Sequence, residues 1–155
     1  MDYRAMNRAE ILMQVRQHFK VSELVCKHTF AKYGERSWQF LDTEALRVLL
    51  ILRREVLRVP LVCNAGQHSQ RGLRCNLCEL VKAKTLNGSL YLSQHVLGRA
   101  FDLTAKTMTA EQMRKTIEAN ADKFPVPIRV EDDVTWLHVD VLDSGSGKQV
   151  YRFKA

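Results

Sequence analysis

The sequence lacks the features that mark an exported, membrane-spanning or multidomain protein. No apolar run reaches the roughly 20 residues that a membrane-spanning helix needs. The opening segment Met1–Arg8 carries charges and no apolar stretch of the signal-peptide type, so we expect synthesis in a cytoplasm without export by that route. No repeat, low-complexity segment or Pro/Gly/Ser linker divides the 155 residues, which predicts one domain over residues 1–155.

Acidic residues are fewer than basic ones, with 17 Asp plus Glu against 24 Lys plus Arg and a net charge of +7. A basic surface suits an anionic partner such as nucleic acid, lipid headgroups or a cell-wall polymer. The charges are scattered and form no contiguous block, however. An ordinary solvated surface therefore fits the composition at least as well as a dedicated binding patch.

Cysteine is also scarce, and the four cysteines are Cys26, Cys63, Cys75 and Cys78. The Cys75-x-x-Cys78 spacing is typical of half a structural zinc site or of a redox pair. Because there is no second C-x-x-C, buried reduced thiols are the default expectation, and a structural zinc held by all four cysteines is the alternative. Structural disulfides are not expected in a chain without an export signal.

Hydrophobic patterns predict an α+β fold. Asp42 or Thr43 can cap a helix that runs through Leu57, and a capping box at Thr109 opens another helix to about residue 120. Helical character is also present over residues 8–19. Strand patterns follow at residues 99–103, 126–131, 135–141 and 149–153, the last as an edge strand. We predict a small, mostly antiparallel sheet with helices packed against it.

Two short segments offer metal ligands. The first reads S-x-H-x-x-G-x-A-x-D from residue 93 and provides His95 and Asp102, and the second reads W-L-H-V-D from residue 136 and provides His138. Two histidines and one carboxylate form a three-ligand zinc set, and a fourth position left to water is typical of a catalytic site. Gly98 lets the chain turn between the first two ligands. Asp140 shares the strand face of His138 and is suited to hold its imidazole.

These segments resemble those of bacterial cell-wall zinc peptidases: the D-alanyl-D-alanine carboxypeptidases, the vancomycin-resistance dipeptidases and the phage L-alanyl-D-glutamate endopeptidases. The fold of that family is shared with the hedgehog signalling domain. The similarity extends over residues 20–142, and an F-x-x-S-E-L start at Phe19 also recurs in the family. The resemblance implies a hedgehog/DD-peptidase-like fold in which His95, Asp102 and His138 hold one catalytic zinc ion.

The resemblance further implies hydrolysis of amide bonds in peptidoglycan stem peptides, by a carboxypeptidase or an endopeptidase. A wall enzyme made in a cytoplasm without a signal peptide must be released by lysis, which suits a phage endolysin or a virion-associated lysin. We also expect a monomer without a separate cell-wall-binding domain, without membrane insertion and without a nucleic-acid partner. Attraction to an anionic cell wall would then be the use of the basic surface.

The chain departs from the family where substrate is bound. A strand of the resembled proteins ends in S-G-Y-R-S, whose arginine stabilises the transition state. Residues 65–69 read A-G-Q-H-S here, so His68 replaces that arginine. Arg71 or Arg74 can supply the lost cation, because a guanidinium stays charged and presents a fork of donors to an oxyanion. We prefer Arg71, and we assign Arg71, His68 and Ser93 to substrate binding.

The chain also differs from the family at the position of the general base. A zinc peptidase needs a carboxylate that moves the proton of the attacking water, and the family places it three residues before the second histidine, where this chain has Thr135. If residues 132 and 133 form a two-residue hairpin turn, Glu131 faces Val134 and shares a sheet face with His138, but at a long distance. We predict Glu131 as the base and Asp133 as the second choice.

Two other classes of function compete with this interpretation. One is a zinc-binding module of the same fold that has lost catalysis, which Thr135 at the usual acid position supports. The other is a basic nucleic-acid-binding protein whose histidines and cysteines are structural. Binding of DNA that weakens with salt, without hydrolysis of cell walls, would favour the second.

Overall fold

A computed structural model describes all 155 residues and confirms the predicted α+β class. None of its helices combines the length and the apolar character that crossing a bilayer requires. The five α-helices are α1 (Arg8–Val15), α2 (Lys27–Tyr33), α3 (Thr43–Ile51), α4 (Glu79–Leu86) and α5 (Ala110–Ala119). The four strands are β1 (Ala100–Leu103), β2 (Ile128–Glu131), β3 (Leu137–Asp140) and β4 (Val150–Phe153).

Helix α3 forms the centre of the hydrophobic core. It begins at the predicted cap, where the carboxylate of Asp42 accepts a hydrogen bond of 3.0 Å from the backbone N–H of Ala45. Every residue from Ala45 to Ile51 is buried, so α3 is covered on all sides, and α1 packs against it. A π-helical turn over Leu52–Val56 continues the helix. The predicted helix through Leu57 is therefore confirmed, with wider hydrogen bonding in its last turn.

Helix α5 begins at the predicted capping box. The hydroxyl of Thr109 accepts a hydrogen bond from the backbone N–H of Gln112, and the side-chain oxygen of Gln112 accepts one from the backbone N–H of Thr109. The helix buries Met113 and Ile117 in the core and contacts β3. These contacts attach α5 to the middle of the sheet.

The sheet has the strand order β1-β3-β2-β4. Strand β3 pairs antiparallel with β1 and with β2, whereas β4 pairs parallel to β2. The sheet is therefore mixed, although two of its three pairings are antiparallel. The last strand lies at the edge of the sheet, as the sequence predicts.

The connection between β2 and β3 differs from the predicted two-residue turn. The ladder pairs Val130 with Val139, so residues 132–136 all lie in the connection, and the next position in register places Glu131 opposite His138. Buried Arg114 of α5 explains the longer loop, because its Nη1 donates to the carbonyls of Glu131, Val134 and Trp136. The expectation that Glu131 faces Val134 is therefore wrong.

Candidate metal centre

The sheet and the turn before β1 bring together His95, Asp102 and His138. Asp102 and His138 are direct partners in the register of β1 and β3, and His95 lies in the turn that leads into β1. Each residue offers one ligand atom, and the three atoms lie within 4.8 Å of one another. All three side chains are buried, so the group is shielded from bulk water.

The imidazole of His95 is held by a backbone carbonyl. Its Nδ1 lies 2.8 Å from the carbonyl oxygen of Gly72, which can only accept, so Nδ1 carries the proton. The lone pair of Nε2 then points inward, 3.2 Å from Oδ1 of Asp102. This tautomer is the one that a metal ligand needs.

The imidazole of His138 is oriented by the carboxylate of Asp140, on the ring side opposite Asp102. Its Nε2 lies 2.7 Å from Oδ2 of Asp140, and its Nδ1 lies 2.8 Å from Oδ1 of Asp102. Arg129 fixes Asp140 with two hydrogen bonds, of 3.0 Å from Nε and 2.8 Å from Nη2. Carboxylates that orient a histidine in this way are typical of metal sites.

The inward atoms fit the size of a zinc ion. Zinc binds nitrogen and carboxylate oxygen at about 2.0–2.2 Å, so neighbouring ligand atoms of a tetrahedral site lie about 3.3 Å apart. The separations from Oδ1 of Asp102 are 3.2 Å to His95 and 2.8 Å to His138. The donor set of two imidazoles and one carboxylate supplies three of the four ligands of a tetrahedral zinc site.

The charges around the group favour a bound cation. Burial opposes ionisation of Asp102, but its close contacts with His138 and His95 outweigh this effect and hold the pKa of Asp102 well below its usual range. Burial alone would lower the pKa of His138, yet its two carboxylate partners raise that pKa to about 9. Two buried carboxylates thus demand positive charge between them, which either a proton or a metal ion supplies.

A pocket of about 330 Å³ opens onto the three residues. Its lining includes Glu131, Ser93 and Arg74 in addition to His95, Asp102 and His138. The structure therefore brings the first-choice base and one predicted substrate residue to the same pocket as the ligands.

Arg71 and His68 line a neighbouring pocket of about 300 Å³. Asp102, Arg74 and Trp136 border both pockets, so the two form adjoining parts of one surface depression. Arg74 lies nearest to the ligands, with its Nη2 3.5 Å from Oδ2 of Asp102. Its Nη1 also donates to the hydroxyl of Tyr91 at 3.2 Å, which fixes the guanidinium at the border.

The other acid that the sequence singles out lies elsewhere. The carboxylate of Asp133 is 2.9 Å from Nζ of Lys154, and its side chain is 69% exposed in the β2–β3 connection. It does not line the pocket above the three ligands, and neither does Thr135. Of the two predicted bases, the structure brings only Glu131 to that pocket.

Two buried polar atoms of the pocket lining have no hydrogen-bond partner within the protein. They are Oε1 of Gln94 and Nε1 of Trp136, an acceptor and a donor. Buried polar atoms are almost always paired, with protein or with other molecules. Both atoms belong to residues that border the pocket, although neither atom is itself accessible to solvent.

A second group of ligand atoms lies apart from the first. Cys26, His28, Cys75 and Cys78 place one ligand atom each within 4.8 Å of one another. Cys63 is buried in the main core and does not belong to this group, so a site held by all four cysteines is excluded. His28 is not among the ligands predicted from the sequence, although Cys26-x-His28 is itself a ligand-like spacing.

Comparisons of the chain with protein-family models, with curated proteins and with solved structures gave no match.

Proposed function

We propose that the chain is a zinc-dependent peptidase that hydrolyses amide bonds in peptidoglycan stem peptides. The observation that carries the proposal is the convergence of His95, Asp102 and His138 beneath a pocket that also holds Glu131. This combination of a three-ligand set and a nearby carboxylate is what metal-assisted amide hydrolysis requires. The sequence resemblance to the cell-wall zinc peptidases supplies the substrate class and the hedgehog/DD-peptidase fold, both of which are part of the proposal.

A zinc ion held by His95, Asp102 and His138 would supply Lewis acidity and would make water more acidic, with a pKa of about 7. Glu131 acts as the general base: its carboxylate takes the proton of the attacking water and passes it to the leaving amine. Asp140 and Arg129 keep the imidazole of His138 in its ligand tautomer. The carbonyl of Gly72 does the same for His95.

Cationic side chains around the pocket bind the substrate. Arg74 stands beside the ligands and meets the oxyanion that develops on the scissile carbonyl. Arg71 and His68, in the adjoining pocket, bind a carboxylate of the stem peptide. Ser93, which also lines the pocket, offers a further hydrogen bond to the peptide.

The biological setting follows from the substrate. We propose a monomeric phage endolysin or virion-associated lysin that is made in a host cytoplasm and reaches the wall after lysis. The net charge of +7 favours approach to an anionic wall. Nucleic acid and membrane are not part of this proposal.

Digestion of purified sacculi tests the function. We expect mass spectrometry of the muropeptides to show new amine termini, and chelators to abolish them. His95→Ala and His138→Ala should lose the zinc ion of this centre together with the activity, whereas His18→Gln, which changes a histidine outside the pocket lining, should keep both.

Two outcomes would contradict this proposal in different ways. Full zinc retention in both His95→Ala and His138→Ala would refute the ligand set. Absence of new amine termini from several wall chemotypes, with zinc bound, would identify the chain as a silent zinc-binding module instead. Glu131 in the pocket argues against that second candidate, because a silent module has no use for a base there.

A further inference from the structure

We propose that Cys26, His28, Cys75 and Cys78 bind a second zinc ion, which is structural and separate from the centre at His95. The four ligand atoms already lie within 4.8 Å of one another. Three thiolates and one imidazole are a standard structural zinc set, and four protein ligands leave no open position for chemistry. This site does not depend on the proposed peptidase activity.

The distances within the cluster match tetrahedral coordination. Nδ1 of His28 lies 3.6 Å from Sγ of Cys75 and 3.8 Å from Sγ of Cys78. Zinc–sulfur bonds of about 2.3 Å and zinc–nitrogen bonds of about 2.0–2.1 Å make a sulfur–nitrogen edge of about 3.6 Å. The two measured separations are therefore close to those of a zinc-bound cluster.

Neighbouring donors are placed to stabilise thiolates. The backbone N–H of Leu77 donates to Sγ of Cys75 at 3.3 Å, across the Cys-x-x-Cys turn. The hydroxyl of Thr29 lies 3.1 Å from Sγ of Cys26 and can donate to it. Such hydrogen bonds to ligating atoms orient the ligands and offset their negative charge. Soft thiolate ligands also select zinc over the hard cations magnesium and calcium.

The site would stabilise the position of α4, which makes few other contacts with the hydrophobic core. This eight-residue helix buries only Val81, and its Leu80 and Leu86 are 49% and 84% exposed. A helix of that length is marginal in water without tertiary packing. Cys78 occupies the N-cap position of α4, and Cys26 and His28 lie at the start of α2. One ion bound to these residues would therefore connect the two helices.

Fastening α4 also positions the pocket proposed to bind substrate. Arg74 immediately precedes Cys75 in the chain. Its Nη1 donates a hydrogen bond to the hydroxyl of Tyr91, which follows α4 in the chain. Both side chains line the pocket above His95. The structural ion would therefore help to hold Arg74 and Tyr91 in place in the pocket lining.

Metal analysis of cysteine variants tests the site. We expect two zinc ions per chain in the wild type, one in Cys78→Ser and one in His95→Ala. Cys63→Ala is the matched control, because Cys63 is a buried cysteine outside the cluster, and it should keep both ions. After cobalt exchange, a sulfur-to-cobalt charge-transfer band should persist in His95→Ala and vanish in Cys78→Ser.

A measurement on the wild-type protein tests the site even if a cysteine variant fails to fold. Titration of wild-type thiols with an organomercurial should release one of the two zinc ions. His28→Cys offers a conservative replacement and should keep two ions. Retention of all zinc after thiol blockage, a zinc content that is the same in Cys78→Ser as in the wild type, a Cys75–Cys78 disulfide in the purified protein, or iron at the thiolate site would each overturn the proposal. The centre at His95 is counted separately in every arm, so its failure cannot be mistaken for failure of this site.

Discussion

Glu131 and Asp133 are two residues apart in the chain but have different surroundings. Glu131 ends β2 and lines the pocket above His95 and His138. Asp133 adopts a positive φ of 60° in the connection and pairs with the amine of Lys154. Only the first carboxylate is placed to act on a water in the pocket.

We therefore expect Glu131→Gln to abolish turnover while the protein keeps its zinc. The amide is isosteric but cannot take a proton, and loss of a general base lowers rates by about 10² to 10⁴-fold. Asp133→Asn is the matched control and should stay close to the wild-type rate. Steady-state rates on muropeptides, measured with zinc content on the same samples, check both; a larger loss in Asp133→Asn would contradict this assignment.

His18 gives a pH prediction outside the pocket. Burial lowers the pKa of His18 below 6.5, and the charges of Arg53 and Arg54 lower it further. Nε of Arg54 donates to Nε2 of His18 at 2.8 Å, which requires a neutral imidazole. The pKa of His18 is lower in the folded state than in the unfolded state. Neutral His18 therefore contributes fully to the free energy of unfolding above about pH 6.5, and this contribution is lost as the pH falls through the pKa of the folded state.

An NMR titration of the His18 imidazole measures this effect. Its pKa should lie below 6.5 in the wild type and rise in Arg54→Gln. Arg36→Gln, which removes a distant exposed arginine, should leave the titration unchanged. A wild-type pKa of 6.5 or higher would disprove the proposed environment of His18.

At the scale of elements, the turn between His95 and β1 depends on one glycine. Gly98 has a φ of +71°, and a Cβ there would lie 2.0 Å from the carbonyl oxygen of Phe40. Gly88, after α4, has a similar φ of +68° but open space around it. The two glycines have similar φ angles, but only Gly98 has a steric clash at the position of a Cβ.

Gly98→Ala should therefore be much more destabilising than Gly88→Ala. The positive φ alone costs roughly 1–2 kcal/mol with a side chain, which is the loss we expect for Gly88→Ala. Gly98→Ala must also move the backbone of residue 40 or open the turn, so it should lose more stability and part of its zinc. Urea denaturation and metal analysis decide this, and equal losses in the two variants would show that the clash is relieved at no cost.

Elements whose signals are local could be predicted from the sequence. Asp42 caps α3 and the Thr109 box opens α5, because each cap bonds to a backbone group only three residues away. The β2–β3 register could not be predicted in this way. It depends on Arg114, whose guanidinium reaches from α5 to three carbonyls of the connection.

The candidate sites show the same division. His95, Asp102 and His138 were found because two compact motifs contain them, although whether they bind zinc remains a prediction. The partnership of His28 with Cys75 was missed because the two residues are 47 positions apart and neither segment alone completes a ligand set. The sequence offered both Arg71 and Arg74 for the missing cation, and the distance of each guanidinium from Asp102 depends on how the loop folds.

At the scale of the whole molecule, both groups of ligands connect segments that are distant in the chain. Nδ1 of His138 meets Asp102 across 36 residues, and Nδ1 of His28 meets Cys78 across 50. An ion that binds only the folded chain stabilises it by mass action, by about 2.7 kcal/mol at a free concentration one hundred times the dissociation constant.

Chelation should therefore lower the melting temperature of the wild type and the urea concentration at its unfolding midpoint. Variants that lack one site, His95→Ala and Cys78→Ser, should respond less than the wild type. The double variant should not respond at all and serves as the control for direct effects of the chelator. An unchanged wild-type melting temperature after chelation would argue against both metal sites.

The antiparallel pairing of Asp102 with His138 also has a consequence for kinetics. The ligands can converge only after β1 and β3 have found each other, which is a late event for strands so far apart in sequence. An interaction that is absent from the transition state slows unfolding and leaves the folding rate almost unchanged. Bound metal would then slow unfolding, and the lifetime of the folded protein would depend on how long the ion remains bound.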